Sequence, residues 1–337
     1  MKKILLLCAF LCSACPVYAD FEAGESFFEQ QNYSAALVEF LPLANSGDFR
    51  SQYYVGYLYL NGLGVAQNVP EGLKYLQKSL DQNYDMAQSL MGFLYEEGNF
   101  LPQDKKKAVE LYYKASAQNN ASANLNLGVM YYNGNHVEQD TTIALEYFKK
   151  VPLDEKPIVA RYIGEIYLNN PDFKNYQSAI QHYKYAAKEG DLESFYALGE
   201  IYRKGIGVSQ SITEAISYYQ YAASKGYSPA QYMLGIIYAN GEGVARDVAK
   251  GYAWLSLASE QHFENAKMAM NQLETNMSLN DFDQARRQIF LIQENELGKV
   301  EMPSIFVSNI KSDLNMGGTD KDKTRKRRRG VRSRRNG

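Results

Sequence analysis

A glycine recurs along this chain at an almost constant distance. Gly56, Gly92, Gly128, Gly164, Gly199 and Gly235 are separated by steps of 36, 36, 36, 35 and 36 residues. A tyrosine stands three residues after each of them: Tyr59, Tyr95, Tyr131, Tyr167, Tyr202 and Tyr238. Five residues before each is a small or β-branched residue: Ser51, Ala87, Ala123, Val159, Ser194 and Ala230. A second register keeps the same period, with Gly72, Ala108, Ala144, Ala179, Ala215 and Gly251 in one column. Ser79, Ala115, Val151, Ala186, Ala222 and Ala258 form another column seven residues further on. A period of this length marks a stack of similar supersecondary units, none of which buries its apolar face alone.

The pattern inside a unit is helical. Ala108, Leu111, Tyr112 and Ala115 fall at i, i+3, i+4 and i+7, one face of a helix. Small residues on such a face let two helix axes approach closely. The repeat glycine and the tyrosine three residues on also share a face, so the glycine reads as the small contact and the tyrosine as the plug beside it. Between the helices lie Asn61-Gly62-Leu63-Gly64, Lys204-Gly205-Ile206-Gly207 and Asn240-Gly241-Glu242-Gly243. Glycines there end a helix and turn the chain. Each unit is therefore predicted to be helix, Gly-rich loop, helix.

The run Leu198-Gly199-Glu200-Ile201-Tyr202-Arg203-Lys204-Gly205-Ile206-Gly207-Val208, followed by a helix with the pattern Ala-x-x-Tyr-Tyr-x-x-Ala-Ala, resembles the Sel1-like repeat. That family is the branch of tetratricopeptide-type repeats with a longer loop between its helices. The resemblance covers roughly residues 24 to 298. The unit of Gly24 departs from it, lacking the loop insertion and looking like a plain tetratricopeptide unit. The unit of Gly164 carries Asn169-Asn170-Pro171-Asp172-Phe173 where the Gly-x-Gly is expected, and the register ends at Asn271. Ser278-Leu279-Asn280-Asp281 reads as an N-cap with an acidic residue three on, opening a last helix to about Leu297.

The resemblance implies an all-α fold, an α-solenoid of Sel1-like, tetratricopeptide-like helix-turn-helix repeats forming a right-handed superhelix. Its concave face would be lined mainly by the first helix of each pair. It divides the chain into a first helix pair over 20–50, Sel1-like repeats over 51–262, capping helices over 263–298 and a disordered basic tail over 299–337. In tetratricopeptide-type units the residues three before the repeat glycine, and one, four and five after it, face the groove. Here they include Tyr53, Tyr57, Phe93, Tyr132, Arg161, Glu165, Tyr196, Glu200, Arg203 and Tyr232. Aromatic residues and arginine often anchor interfaces; the opposite reading is that these tyrosines pack between neighbouring helices. The expected groove is aromatic in its N-terminal half and charged around Arg161 to Arg203.

The two ends carry separate signals. Lys2 and Lys3 precede an apolar run from Ile4 to Cys12, and Val17-Tyr18-Ala19 offers a cleavage site. Residues 1–19 thus read as a secretory signal peptide cut after Ala19, too short to span a bilayer. Cys8, Cys12 and Cys15 all lie in this leader. An alternative makes Cys15 the lipid-modified end of a lipoprotein. Export predicts a periplasmic or secreted chain free of disulfides and thiolate chemistry. At the other end, residues 321–337 hold ten basic residues and one acidic one, whereas residues 20–320 hold 24 basic and 37 acidic. Arg325, Lys326, Arg327, Arg328, Arg329, Arg332, Arg334 and Arg335 would suit an anionic membrane, a cell-wall polymer or nucleic acid. A solvated tail folded back on its own acidic body, or a nuclear import signal within a eukaryotic cell, are the other readings.

Catalytic patterns are not found. His136, His182 and His262 are far apart in sequence and read as lone surface or loop histidines. There is no phosphate loop and no Gly-x-Ser-x-Gly elbow. No catalytic residue, metal or cofactor is predicted. The expected function is an exported scaffold or adaptor that binds a protein partner through its concave surface, in the bacterial envelope or at a host cell. The resemblance permits a role in virulence. The alternative is a periplasmic activator or partner of a cell-wall enzyme, or an envelope enzyme.

Overall fold

Polar side chains open most of the helices. Asp48, Asn68, Asp104, Asn120, Asp140, Asn175, Asp191, Ser211 and Asp247 each accept a hydrogen bond from a backbone amide three residues on. They satisfy donors that every helix start leaves free. First helices close on a left-handed glycine at Gly62, Gly98, Gly134, Gly205 and Gly241. The loop that follows is clasped back onto the helix. The side chains of Gln67, Gln103, Gln139 and Gln210 donate to the carbonyls of Leu60, Glu96, Tyr132 and Arg203 at 2.8–2.9 Å. Arg246 Nε does the same to Ala239 at 2.9 Å.

These elements are seen in a computed structural model that describes residues 19–295 and 297–299. Sixteen helices and no strand occur among the described residues. The signal-peptide reading of residues 1–19, with its cysteines, therefore lies almost wholly outside them, and so does the basic run from Arg325 to Arg335. The chain is an α-solenoid whose helices pack in consecutive pairs within two compact units, dividing between Pro152 and Leu153. The first unit contains α1 (Phe21–Glu29), α2 (Tyr33–Asn45), α3 (Phe49–Asn61), α4 (Val69–Asp81), α5 (Asp85–Glu97), α6 (Lys105–Ser116), α7 (Ala121–Asn133) and α8 (Thr141–Lys149). The second contains α9 (Ile158–Asn169), α10 (Tyr176–Lys188), α11 (Leu192–Lys204), α12 (Ile212–Ser224), α13 (Ser228–Asn240), α14 (Val248–Glu260), α15 (Glu264–Glu274) and α16 (Leu279–Asn295). α8 stops at Lys149, so Val151, which the periodicity places on a helix, lies beyond it. Pro152 accounts for this, because a proline pushes the preceding residue out of the helical region.

A socket and a plug hold each pair together. The repeat glycine sits on the first helix, and a bulky side chain from the second helix fills the space a Cβ would occupy. Gly24 receives Phe40, Gly92 receives Tyr112, Gly128 receives Phe148, Gly164 receives Tyr183 and Gly199 receives Tyr219. Leu76 and Leu255 serve Gly56 and Gly235. All seven plugs are at most 2% exposed. The plug is thus not the tyrosine three residues after the glycine. That tyrosine lies one turn away and stacks on a ring of the second helix instead: Tyr59 on Tyr75 at 6.2 Å, Tyr131 on Tyr147 at 5.9 Å and Tyr202 on Tyr218 at 5.3 Å.

Neighbouring pairs are tied by buried amides. Gln82 donates to Gln52 at 2.8 Å, Gln118 to Gln88 at 2.9 Å and Gln261 to Gln231 at 2.8 Å. Gln52, Gln88 and Gln231 are buried and meet their hydrogen-bonding need through these bonds, while Gln82, Gln118 and Gln261 remain exposed. After α14 the pattern changes. Ser278 and Asp281 bond each other at 2.8 Å and open α16, whose Ile292 enters the core of the second unit. The resulting arrangement leaves one flank of each first helix uncovered by its partner helix.

Candidate protein-binding site

In the first unit the uncovered flank is aromatic. Tyr53 and Tyr57, one turn apart on α3, stack at 6.5 Å. Tyr84, at the start of α5, meets Tyr53 edge-on at 5.7 Å, and Phe28 of α1 meets Tyr57 at 5.9 Å. Burial, reinforced by Tyr84, Tyr57 and Asp85, pushes the Tyr53 hydroxyl well above its ordinary range and keeps it protonated. Phe93 on α5 is 46% exposed. Tyr132 on α7 is half-buried. The structure therefore joins Tyr53 and Tyr57 in one ring cluster and sets Phe93 and Tyr132 on the two following first helices. Tyr53 and Tyr57 pack between neighbouring helices and are half-buried.

In the second unit the flank is built around two arginines, and neither is free. Arg161 on α9 bonds Glu165 at 2.9 Å and Glu193 of α11 at 2.8 Å. Its Nε lies 3.4 Å from Asp191, the residue that also caps α11. Burial opposes the charge of Arg161, but Glu165, Glu193 and Asp191 outweigh it and raise its pKa. Its guanidinium also lies 4.6 Å above the Tyr162 ring. Arg203 on α11 grips Glu200 through two nitrogens at 3.0 and 3.1 Å and reaches Glu242 at 3.3 Å. Lys204 and Tyr219 complete the shell of Glu200, each at 2.5 Å. Burial pushes the Glu200 carboxyl up, but the hydrogen bonds from Arg203, Lys204 and Tyr219 prevail and hold it at about 2.

Two tyrosines, Tyr196 and Tyr227, lie between these two clusters. The Tyr196 ring lies 5.9 Å from Tyr227 and 5.7 Å from Tyr219. Tyr232 on α13 packs against Phe263 at 5.4 Å. Burial and the nearby Glu193 push the Tyr227 hydroxyl up to about 12. Tyr196 thus links Tyr227 to Tyr219 and, through Tyr219, to the Glu200–Arg203 cluster, forming a patch around these residues. It is aromatic as well as charged. Asp191, Glu193, Tyr227 and Glu242 belong to it but lie outside the columns used to choose it. Asp191 and Tyr227 occupy helix N-cap positions, and only the cap pattern could have drawn attention to them.

The histidines are placed differently from the sequence reading in one case. His182 lies on α10, buried, with Nδ1 at 2.8 Å from the Ser178 carbonyl oxygen and its ring 5.6 Å from Tyr167. It takes the position that tyrosine holds in other second helices, and so is not a surface residue. His136 and His262 sit at left-handed backbone positions. No helix among the described residues is long and apolar enough to cross a membrane.

Known proteins share this arrangement. Six stretches, residues 50–84, 85–120, 121–150, 162–191, 193–227 and 228–263, match the model of the Sel1 repeat. The gap between 150 and 162 falls where Pro152 shortens α8. A Sel1 repeat protein from Oxalobacter formigenes is similar in structure, with a TM-score of 0.62 and 27% identity, over 72% of this chain and 100% of that one. A protective antigen of uropathogenic Escherichia coli displaying an SLR fold has a TM-score of 0.67 and 23% identity, over 85% of this chain and 67% of that one. No curated protein matches the sequence.

Proposed function

Since this chain belongs to the Sel1 repeat family, whose members are generally protein–protein interaction scaffolds, we propose that it is an exported, non-enzymatic adaptor that holds a protein partner against the uncovered flank of its first helices. The observation that carries this reading is the chemistry of that flank. Phe93 stands exposed in the first unit, and Tyr196, Tyr227 and Tyr232 cluster with fixed ion pairs in the second. Half-buried tyrosines whose rotamers are already set lose little freedom on binding, and aromatic and arginine side chains are the usual anchors of an interface. The ion pairs around Arg161 and Arg203 hold their geometry before any partner arrives.

Export rests on the leader. The mature chain would begin at Asp20, whose side chain accepts from the Glu22 amide and caps α1. N-terminal sequencing of the protein recovered from the envelope or medium should read Asp20 first. A lipid-modified Cys15 would overturn that site.

The adaptor reading is tested by capture with the chain from residue 20 onward and with its Phe93→Ala and Tyr232→Ala variants. A partner retained by the parent chain and weakened about tenfold or more by either substitution is expected. A partner held equally by all three, with both variants folded, would remove the first-helix flank from consideration.

A further inference from the structure

The second unit combines three features: an excess of carboxylates, rings that can receive guanidinium groups, and the last described residues of the chain, 297–299. Among the described residues, Glu165, Asp191, Glu193, Glu200 and Glu242 form ion pairs with Arg161, Arg203 and Lys204. These five carboxylates outnumber the three cations paired with them by two. Glu193 is 51% exposed on its side chain and Glu242 34%, so both can take a further cation. The rings of Tyr196 and Tyr227 lie beside them. A guanidinium over a tyrosine face is favourable, and Arg161 already makes that contact with Tyr162.

The last described residues are held by two hydrogen bonds. The Gly298 amide donates to the Ser224 carbonyl at 2.7 Å, and Lys225 Nζ donates to the Gly298 carbonyl at 3.3 Å. Lys225 is two residues before Tyr227, which belongs to the patch. Gly298 is thus held at the α12–α13 turn, the turn that also carries Tyr227. Arg325 is 26 residues beyond Lys299, and an extended chain of that length spans up to about 85–90 Å. Residues 321–337 carry a net charge of +9, opposite to the patch. Tethering makes the encounter intramolecular, so a weak contact is enough to fill the site.

We propose that the occupant of this patch is the chain's own C-terminal segment, residues 321–337, which docks its lysines and arginines on Glu193, Glu242 and the Tyr196–Tyr227 pair and so competes with a partner for the same face. The proposal rests on the reading of this flank as a binding surface. Its consequence is regulatory: whatever draws the tail away, such as an anionic surface or high salt, uncovers the site.

Zero-length carbodiimide coupling tests this on the chain from residue 20 to 337, because it joins a lysine amine only to a carboxylate already in contact with it. Peptide mapping should place Lys321, Lys323 or Lys326 on Glu193, Glu165 or Glu242 within a single chain. The yield should fall about tenfold between roughly 50 mM and 500 mM salt as the charges are screened. The triple substitution Arg327→Glu, Arg328→Glu, Arg329→Glu should abolish the links, with far-ultraviolet circular dichroism checking that the helical content is unchanged. Links scattered over the acidic surface, links only between different chains of an isotope-mixed sample, or no links at all would each overturn the proposal. No partner is present in the experiment, so a failure here and a failure to find a partner are separate results.

Discussion

The hydroxyl of Tyr219 lies 2.5 Å from Glu200 Oε1 while the Tyr219 ring fills the socket left by Gly199. One side chain thereby connects the core of a repeat to the charged patch on its surface. The ring is fully buried and the hydroxyl fixes the carboxylate that Arg203 and Lys204 also hold. Packing inside the pair therefore sets the position of the charges outside it.

Glu200 should make stability depend on acid. Its folded pKa of about 2 lies below the ordinary value of 4.5, so its contribution is fully present above about pH 4.5 and is lost as the pH falls towards 2. Glu200→Gln should cost on the order of 2 kcal/mol at pH 7, allowing for its partial exposure. The difference from the parent chain should shrink steadily below pH 4.5. Urea unfolding at a series of pH values measures it; a pH-independent difference would mean that the charge is not the source.

The socket should reject even one methyl group. Alanine is the better helix former by about 0.5–1 kcal/mol, yet a Cβ at Gly128 would meet Phe148 Cε1 at 2.5 Å. Overpacking of a buried ring costs about 1–3 kcal/mol, so Gly128→Ala should destabilise on balance. Phe148→Ala should cost about 3–5 kcal/mol through the cavity it opens. Combined with Phe148→Leu, Gly128→Ala should cost less than the two separate effects together, because the smaller plug makes room. Strict additivity in denaturant unfolding would argue against direct contact.

His136 occupies the position that Gly64, Gly207 and Gly243 hold in other repeats, with φ of 65°. A side chain in that region costs roughly 1–2 kcal/mol, of which the greater freedom of unfolded glycine gives back about half. His136→Gly should therefore stabilise the protein by about 0.5–1 kcal/mol. Thermal unfolding would show it as a higher midpoint, and a lower one would contradict the backbone geometry.

The buried amide ties should be sensitive to removal of one partner. Gln88 accepts from Gln118 at 2.9 Å and donates to Asn83 at 2.7 Å. Gln88→Leu removes the buried half of the tie while Gln118 and Asn83, both exposed, can turn to water, so it should cost about 0.5–1.5 kcal/mol. A surface glutamine such as Gln77, replaced in the same way, should change stability by less than about 0.5 kcal/mol. Equal effects at the two sites would remove the tie as a source of stability.

Much of the fold is legible because each helix writes its own face into a short window. Ala108, Leu111, Tyr112 and Ala115 reveal a buried stripe without any knowledge of what covers it, and the Gly-x-Gly loops mark where one helix ends. The candidate site is legible in its first-helix members, since Arg161, Tyr196, Glu200 and Arg203 follow from the repeat register. Its remaining members come from elsewhere. Glu193 and Asp191 approach Arg161 from the next repeat, Glu242 approaches Arg203 from 39 residues away, and Tyr227 enters from a helix cap.

The sequence by itself determined the period, the helical hairpins and the glycine sockets, because backbone propensity, capping and turn chemistry act over a few neighbouring residues. Only the tertiary structure decided which ring fills each socket and which carboxylates neutralise the arginines. The first choice depends on how the two helices of a pair cross, and the second on how far one helix pair is rotated against the next. That rotation is settled by the packing of whole side chains and the pairing of desolvated polar groups, which no single window of the chain contains.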